Sequence, residues 1–191
     1  MKIFFNKKSL RNLPIGDKIF EIIKKYKIPK NSTILEIGCG DGRFGSYLGN
    51  KFKKYRGTDP DKEYIYIAKK QNKLKNVFYK LGYAEKIPFK NKFDIVFFAF
   101  SWHFVKDFEK AIIEIKRILK KDGILIILEP SRKSSGWASP VLNKDSPLFN
   151  KLKYKNKILA LKKAEEFLKC QNILKIIYQE IKESNIWVLK K

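Results

Sequence analysis

The chain has 191 residues, enough for one domain with its own core and too few for two. Apolar residues make up 44% of the chain and charged residues 32%, which excludes an intrinsically disordered protein. No apolar run approaches the roughly 20 residues that span a bilayer, and the apolar run near the N-terminus is too short for a secretory signal. We therefore expect a single soluble domain over residues 1–191, located in the cytoplasm.

Lysine and arginine dominate the charge: 43 basic residues against 19 acidic ones give a formal net charge of +24. A lysine-rich, solvated surface accounts for this excess without any function. A basic surface that binds RNA, DNA or an anionic membrane accounts for it as well. Composition alone leaves both interpretations open.

Cysteine and histidine are scarce. The two cysteines, Cys39 and Cys170, exclude a disulfide scaffold and a zinc site made of cysteines alone. We expect each of them to be a small buried side chain. The single histidine, His103, excludes a metal site built on histidines.

Short apolar runs alternate with helical periods along the chain, which predicts an α/β fold. Helices are predicted at residues 17–26, through residue 48 after a glycine-rich segment, and at 63–74, 108–119 and 158–170. Strands are predicted at residues 33–37, 55–58, 77–81, 93–99, 124–128, 174–182 and 186–189. The last two strands leave no room for a helix between them, so they are expected to pair antiparallel as a hairpin.

Two segments are candidate covers for a site. Residues 129–147 form a polar loop that is long for a compact domain, and we predict it to be a substrate loop. Residues 1–30 contain the first predicted helix and are expected to form an N-terminal lid.

The segment from Glu36 to Gly42, EIGCGDG, follows the first predicted strand. Glycines let the backbone turn sharply and let a ligand approach closely. The N-terminus of the following helix favours anionic groups, whereas the carboxylate of Glu36 suits an ammonium group or a sugar hydroxyl. A tight turn that merely requires glycine is the alternative.

The same segment contains a rival motif. Residues 40–45 match the dinucleotide pattern G-x-G-x-x-G, which would indicate NAD. The register of this match is wrong, because the motif should begin directly after the strand, at Gly38. Counted from Gly38, the third glycine position is occupied by Arg43.

Asp59 lies at the end of the second predicted strand. An acid at this place can accept both ribose hydroxyls of a nucleoside. An aspartate before a proline, here Pro60, is also a common turn residue. With the glycine loop in place, ribose binding is the favoured interpretation.

Five stretches of the sequence together resemble the class I S-adenosylmethionine-dependent methyltransferases, and most of all the broad type 11 group. They are ILEIGCGDGRFGSYL, GTDPD, GYAEKIPF, KFDIVFFAFSWHFV and EKAIIEIKRILKKDGILIILEP, between Ile34 and Pro130. The resemblance implies a Rossmann-like, doubly wound, mostly parallel seven-stranded sheet with an antiparallel C-terminal hairpin. It also implies S-adenosyl-L-methionine as the methyl donor, and it leaves the methyl acceptor unidentified.

The resemblance implies roles for individual residues on the methionine side of the donor. The loop under the methionine part would be formed by five residues: Glu36, Gly38, Cys39, Gly40 and Gly42. Glu36 would lie near the donor's ammonium group. The methionine and sulfonium side would be lined by three residues at the end of the fourth strand: Ala99, Phe100 and Ser101.

On the nucleoside side, the resemblance implies that Asp59 holds the ribose and that Pro60 packs beside the adenine. Ala84 and Glu85 would lie at the adenine edge. The chain departs from the family here, because Tyr83 stands where the family commonly has an aspartate that meets the adenine amino group. Tyr83 would instead stack or bond through its hydroxyl.

A second departure precedes the fifth strand, where Asp122-Gly123 replaces the usual pair of glycines. The end of the preceding helix needs only one glycine in the left-handed conformation, so we expect Gly123 to supply it.

The segment Ser101-Trp102-His103-Phe104 follows the fourth strand, over the expected acceptor pocket. His103 is the candidate catalytic residue, either as a general base or as a group that orients a substrate oxygen. A hydrogen-bonding loop histidine is the alternative. Trp102 would wall the pocket or pack in the core.

These observations predict a methyltransferase that uses S-adenosylmethionine and acts on an O, N or C nucleophile, with a small molecule as the expected acceptor. Two alternatives stay open: an RNA methyltransferase that uses the basic surface, and a non-catalytic nucleoside-binding protein. No pattern in the sequence names the acceptor.

Overall fold

The computed structural model describes residues 14–130, 154–181 and 184–191. Its strands are β1 (Thr33–Ile37), β2 (Lys54–Asp59), β3 (Val77–Leu81), β4 (Phe93–Ala99), β5 (Leu119–Pro130), β6 (Lys175–Ile181) and β7 (Ser184–Lys190). Its helices are α1 (Pro14–Lys25), α2 (Arg43–Leu48), α3 (Lys62–Gln71), α4 (Phe108–Ile118) and α5 (Tyr154–Cys170). Short 3₁₀ turns follow α2 at Gly49–Lys51 and β4 at Trp102–Phe104.

The seven strands of the described residues join one sheet in the order β3-β2-β1-β4-β5-β7-β6. The first five strands are parallel, and β7 pairs antiparallel with both β5 and β6. The chain winds outward from β1 to β3 and then returns to the other side of β1 with β4. The winding direction reverses between β1 and β4, and ligands of such sheets generally bind at the carboxyl ends of the strands there. This topology confirms the predicted doubly wound sheet and its closing hairpin.

Strand β4 lies inside the sheet because its sequence, FDIVFFA, is apolar enough for both of its faces to be covered. Alternate residues enter two cores, one on each face: Val96 and Phe98 belong to the first, Ile95 and Phe97 to the second. Helices α4 and α5 contribute to the first core, and α1, α2 and α3 to the second.

Helix α4 shows why the helices form where the sequence predicts them. Its N-cap is Asp107, whose carboxylate accepts the amide of Lys110 at 3.0 Å. Its apolar residues recur at helical spacing and are buried against the sheet as one stripe: Ala111, Ile112, Ile115 and Ile118.

Strand β5 is longer than predicted. It starts at Leu119, ahead of the predicted start at Ile124, because Leu119 pairs with Phe93 of β4. The register between the two strands shifts between Phe93 and Ile95, as at a bulge. Pairing between strands, which no local pattern reports, therefore sets this boundary.

The left-handed residue in this segment is Asp122, with φ 63°, and the expectation for Gly123 is wrong. Aspartate enters this region more readily than most residues because its short polar side chain bonds locally. The side chain also faces Lys190 of β7, whose Nζ lies 2.8 Å from Oδ1.

Three helix boundaries differ from the prediction by three residues or more. Helix α5 begins at Tyr154 rather than at residue 158. Helix α1 begins at Pro14 rather than at residue 17, in keeping with the fixed φ of proline, which suits a first helical turn. Helix α3 ends at Gln71 rather than at residue 74. The side chain of Asn72 accepts the amide of Leu74 at 3.0 Å and closes a local turn instead.

The two cysteines differ in exposure. Cys39 is buried as predicted, whereas Cys170 is exposed and contradicts the prediction. Helix α5 buries Ala164 and Leu168, which are four residues apart and share a face. Cys170 follows Leu168 by two positions and therefore points away from that face.

The predicted lid at residues 1–30 is described only in part. Helix α1 packs on the sheet through three buried isoleucines: Ile19, Ile22 and Ile23. Residues 1–13 lie outside the described residues, so a lid function of this segment stays a prediction.

The predicted substrate loop at residues 129–147 needs a correction at its start. Glu129 and Pro130 belong to β5, where they pair with Asn185 and Ser184 of β7. The rest of this loop lies outside the described residues.

Replacing Phe97 with alanine tests the second core. The side chain is fully buried and lies edge-on to Phe44 and Tyr55, with ring centroids 5.9 Å and 6.4 Å away. We expect the free energy of unfolding, measured by urea titration, to fall by about 3–5 kcal/mol, as is typical of a buried Phe→Ala change. Phe78, which is 45% exposed, provides the control: Phe78→Ala should cost less than about 1 kcal/mol. Equal losses would contradict the assigned core.

Candidate functional site

Three left-handed glycines form the loop between β1 and α2. Gly38, Gly40 and Gly42 have φ values of 77°, 50° and 79°. Other residues enter this region only at a cost. The amides of Gly38 and Cys39 both donate to the carbonyl oxygen of Thr58, at 2.8 Å and 3.1 Å. The loop is therefore fastened to the end of β2.

Gly38 and Gly40 have opposite surroundings. A Cβ on Gly38 would lie 2.3 Å from the Cβ of Ser101, so the loop touches the chain just after β4. The hydroxyl of Ser101 donates to the carbonyl oxygen of Ile37 at 2.7 Å and fixes this contact. A Cβ on Gly40 would meet no described atom within 4 Å. The loop is thus tightly packed at its start and open at Gly40.

Asp59 connects the end of β2 to the open part of the loop. Its carboxylate is 7% exposed. Oδ2 accepts the amide of Gly40 at 2.9 Å, and Oδ1 accepts the amide of Asp61 at 2.9 Å. The structure brings Asp59 and the glycine loop together, while the neighbouring Pro60 is exposed.

Glu36 is a buried carboxyl group at the end of β1. It is 1% exposed and accepts a hydrogen bond from the hydroxyl of Tyr55. Burial raises the pKa of Glu36 well above its ordinary value, and the charges of Asp41 and Asp59 act in the same direction. The hydrogen bond from Tyr55 and the charge of Arg43 oppose this shift. A cation bound nearby would favour the ionised form of Glu36.

Arg43 bears on the rival dinucleotide motif. Its guanidinium pairs with Asp41 through two contacts, Nε to Oδ1 at 2.9 Å and Nη2 to Oδ2 at 3.1 Å. The dinucleotide motif needs a glycine at this position so that helix and strand pack closely. A large side chain held in an ion pair does not meet that need.

Glu85, at the predicted adenine edge, has a structural role. The carboxylate of Glu85 accepts the amides of Lys106 and Asp107 at 2.9 Å and 3.2 Å, which fixes the turn before α4. Ala84 is buried, and Tyr83 is 52% exposed. A contact of these residues with adenine stays a prediction.

The chain bends sharply at the end of β4. Phe100 has φ 56°, a strained value for a bulky residue, and its amide donates to the carbonyl oxygen of Leu128 at 2.8 Å. Ala99 and Phe100 pack partly buried against the second core. The bend places Ser101 against the glycine loop. Strain of this kind is typical of functional sites.

Trp102 is a core residue. It is fully buried, with ring centroids 5.0 Å from Phe98 and 5.1 Å from Phe108. Of the two interpretations of Trp102, the structure favours packing in the core over the wall of a pocket.

The sequence does not identify Glu129 as part of the site. Its carboxylate is 2% exposed at the end of β5 and meets the segment that follows β4. Oε1 accepts the amides of Trp102 and His103 at 2.7 Å and 3.2 Å, and Oε2 lies 2.5 Å from His103 Nδ1. The one available clue is an acid that ends an apolar strand. Its partner becomes visible only once β4 and β5 are adjacent.

Neither a metal cluster nor a membrane span occurs among the described residues. These residues contain no group of three or more His, Cys, Asp or Glu side chains that could hold a metal ion. None of the helices among them is long and apolar enough to cross a bilayer. The cytoplasmic location stays a prediction.

Alanine substitutions at two glycines test the loop geometry. Gly38→Ala places a Cβ against Ser101 at a left-handed position, so we expect a loss of about 2–5 kcal/mol in the free energy of unfolding from strain plus overpacking. Gly40→Ala meets no atom of the described residues within 4 Å and should lose only the left-handed cost of about 1–2 kcal/mol. Chemical denaturation of the two variants measures both values. Equal destabilisation would contradict the different packing of the two glycines.

Glu36→Gln is expected to change how stability depends on pH. Because burial raises the folded pKa of Glu36 above the ordinary value of 4.5, the folded chain retains a proton that the unfolded chain releases. The contribution of Glu36 to stability is therefore fully present below that value and is lost as pH rises towards the folded pKa. Glutamine does not titrate. Urea titrations across this range should show the wild-type free energy of unfolding falling relative to that of the variant, and parallel profiles would contradict the raised pKa.

Comparison with known proteins identifies the family. Residues 35–127 match the family model of a methyltransferase domain, that of the type 11 group. The uncharacterized methyltransferase YcgJ of Bacillus subtilis is 28% identical over 118 residues, which cover 60% of this chain and 47% of that protein. Ubiquinone biosynthesis O-methyltransferase of Pelagibacter ubique is 36% identical over 115 residues, which cover 56% of this chain and 48% of that protein. The chain spans about half the length of these relatives.

A solved structure shares the fold over nearly the whole chain. The crystal structure of a SAM dependent methyltransferase from Aquifex aeolicus aligns with a TM-score of 0.61 at 20% identity and covers 98% of both chains. The family match, the seven-stranded sheet and the glycine loop at the end of β1 together assign residues 35–127 to the methyltransferase domain of the type 11 group.

Proposed function

We propose that this chain transfers a methyl group from S-adenosyl-L-methionine to a nucleophile of a small molecule. The observation that carries the proposal is the open, left-handed Gly40, whose amide is held by the buried carboxylate of Asp59 at 2.9 Å. This point lies where the sheet reverses direction between β1 and β4. Ligands of open α/β sheets bind at that place.

The groups around Gly40 suit the parts of this donor. The donor brings an ammonium group, two ribose hydroxyls and a sulfonium that supplies an electrophilic methyl group. Glu36 would balance the ammonium charge. Asp59 would accept the ribose hydroxyls, because a carboxylate at the end of the second strand can accept both hydroxyls of a nucleoside. The bare backbone at Gly40 would allow close approach.

The remaining predicted contacts follow from the same placement. Pro60, Ala84 and the backbone of Glu85 would border the adenine. The methyl group would face the strained end of β4, at Ala99, Phe100 and Ser101, with Cys39 in the loop on the other side. The protein's main task there is to align the nucleophile with the methyl group and to keep water away, which lowers the barrier of a two-substrate reaction.

A small-molecule acceptor is favoured over RNA. One relative is named for ubiquinone biosynthesis, in which the methyl acceptor is a small molecule. The net charge of +24 still makes RNA the alternative to test. Methyl incorporation into bulk RNA, together with RNA binding that weakens steeply with salt, would replace the small-molecule proposal. Donor binding without any transfer would indicate a nucleoside-binding protein.

Asp59→Asn tests the donor site. Losing the charged acceptor for the ribose hydroxyls should weaken S-adenosylmethionine binding by about 1–3 kcal/mol, or roughly 5- to 150-fold in Kd. Calorimetric titration with S-adenosylmethionine, S-adenosylhomocysteine and NAD measures this change. Asp122→Asn removes the same charge at the opposite edge of the sheet, where the left-handed φ of 63° also suits asparagine.

The control variant should bind the donor like the wild type. A folded Asp59→Asn protein with unchanged affinity would remove the ribose assignment. Binding of NAD, without binding of either methionine nucleoside, would overturn the proposed function as a whole.

A further inference from the structure

Glu129 is a buried carboxylate for which the proposed function gives no task. It is 2% exposed at the end of an apolar strand, and Asn185 of β7 is its partner in register. A charged group in such surroundings is costly unless it is paired. The partners that the described residues supply come from Trp102 and His103, directly after β4.

The contacts fix the carboxylate in one orientation. Oε1 accepts two backbone amides, those of Trp102 and His103, at 2.7 Å and 3.2 Å. Oε2 is thereby directed at the imidazole and lies 2.5 Å from Nδ1 of His103. The side chains of Glu129 and His103 are only 3% and 8% exposed. The ring of Phe104 packs on the imidazole at a centroid distance of 4.0 Å and restricts its rotation.

This geometry selects one tautomer of the neutral imidazole. An ionised carboxylate has lone pairs and no proton to donate, so a contact of 2.5 Å requires the hydrogen on Nδ1. The other ring nitrogen, Nε2, then carries the free lone pair. Glu129 thus determines which nitrogen of His103 is able to accept a proton.

The imidazole belongs to the same edge of the sheet as the proposed donor site. His103 follows Ser101 by two residues, and Ser101 is bonded to Ile37 at 2.7 Å and packed against Gly38. The strained Phe100 starts this turn. The ends of β1, β4 and β5 therefore converge on one cluster.

We infer that Glu129 is a positioning residue: it holds His103 with the proton on Nδ1, so that Nε2 accepts the proton of a hydroxyl group on the methyl acceptor. This inference rests on the proposed function, because a base at this edge is useful only if methyl transfer takes place there. The acceptor class that it suits is a hydroxyl compound such as a phenol or an enol. A carboxylate or an amine with a free lone pair has no proton to lose before it attacks.

The atoms and charges of this step balance. The hydroxyl proton passes to Nε2, and the oxygen uses the electron pair of the broken O–H bond to bond the methyl carbon. The electron pair of the old carbon–sulfur bond stays on sulfur. The imidazolium that forms lies beside the carboxylate of Glu129, which offsets its charge. Nε2 then releases the proton to water.

The tautomer is directly measurable because His103 is the only histidine of the chain. Protein labelled with nitrogen-15 in histidine gives one pair of ring signals, whose shifts report which nitrogen carries the proton. We expect the wild type to show the Nδ1–H tautomer at a pH where the ring is neutral. In Glu129→Gln, the amide oxygen is able to keep the two backbone contacts while the amide NH₂ donates to Nδ1. The proton should therefore move to Nε2.

Glu114→Gln is the matched control for this measurement. Glu114 also accepts a backbone amide, from Ile87 at 2.9 Å, and pairs with Arg117 on α4. Its replacement should leave the Nδ1–H tautomer unchanged. An Nε2–H tautomer in the wild type, or the same tautomer in wild type and Glu129→Gln, would overturn the inference.

A second measurement asks whether Nε2 is available for chemistry, which a merely structural pair does not require. Diethylpyrocarbonate acylates an unprotonated imidazole nitrogen. We expect wild type and Glu114→Gln to react at His103. Glu129→Gln should react at least about tenfold more slowly, because the imidazole lone pair is then on Nδ1 and faces the amide of the glutamine. An unreactive wild-type histidine would overturn the base assignment.

Calorimetry with S-adenosylmethionine keeps the two proposals apart. Glu129→Gln should bind the donor like the wild type, since the hydrogen bonds described for the Glu129 side chain go to Trp102 and His103, neither of which is assigned to the donor. If wild type does not bind the donor, the proposed function fails and the base has no reaction to serve, whatever tautomer is found. If wild type binds the donor and the tautomer is Nε2–H, only the inference about Glu129 fails.

Discussion

The geometry of the site depends on the close approach of Gly38 to Ser101. A Cβ on Gly38 would lie 2.3 Å from the side chain of Ser101, and the hydroxyl of Ser101 bonds the carbonyl of Ile37 at 2.7 Å. This contact joins the carboxyl ends of β1 and β4 at the point where the sheet reverses direction. Phe100, the residue before Ser101, adopts φ 56° at this bend. The glycine loop on one side and the Glu129–His103 pair on the other both take their positions from this contact.

Three buried carboxylates lie at or near the carboxyl ends of β1, β2 and β5, and their hydrogen-bond donors differ. Asp59 and Glu129 each accept two backbone amides, which cannot move away without unfolding the local turn. Glu36 receives a side-chain bond from Tyr55, and its pKa is raised, chiefly by burial. We infer that Asp59 orients the ribose of the donor and that Glu129 orients His103. The carboxyl group of Glu36, in contrast, would be ionised when the ammonium group of the donor binds beside it.

Local patterns predict much of this molecule. The apolar run of β4 predicts a buried strand, and the glycines after β1 predict a tight turn. Both features can be predicted because they depend on residues that are adjacent in the sequence. Features that depend on pairing between strands distant in the sequence cannot be predicted from such local patterns. The early start of β5 at Leu119 follows from its register with Phe93, and the left-handed residue is Asp122 rather than Gly123. The sequence pattern places Glu129 in a loop, because its bond to His103 exists only once β4 and β5 lie side by side.

Donor binding at the glycine loop between β1 and β4 is the property on which the proposed function depends. Protein uniformly labelled with nitrogen-15, titrated with S-adenosylmethionine and followed by its backbone amide signals, tests it most directly. The chain has only 10 glycines, so the loop signals are tractable to assign. We expect saturable shifts at Gly38, Gly40 and the amides around Asp59, with little change at the opposite edge near Asp122. Shifts confined to other regions, or none at millimolar donor, would contradict donor binding at this loop.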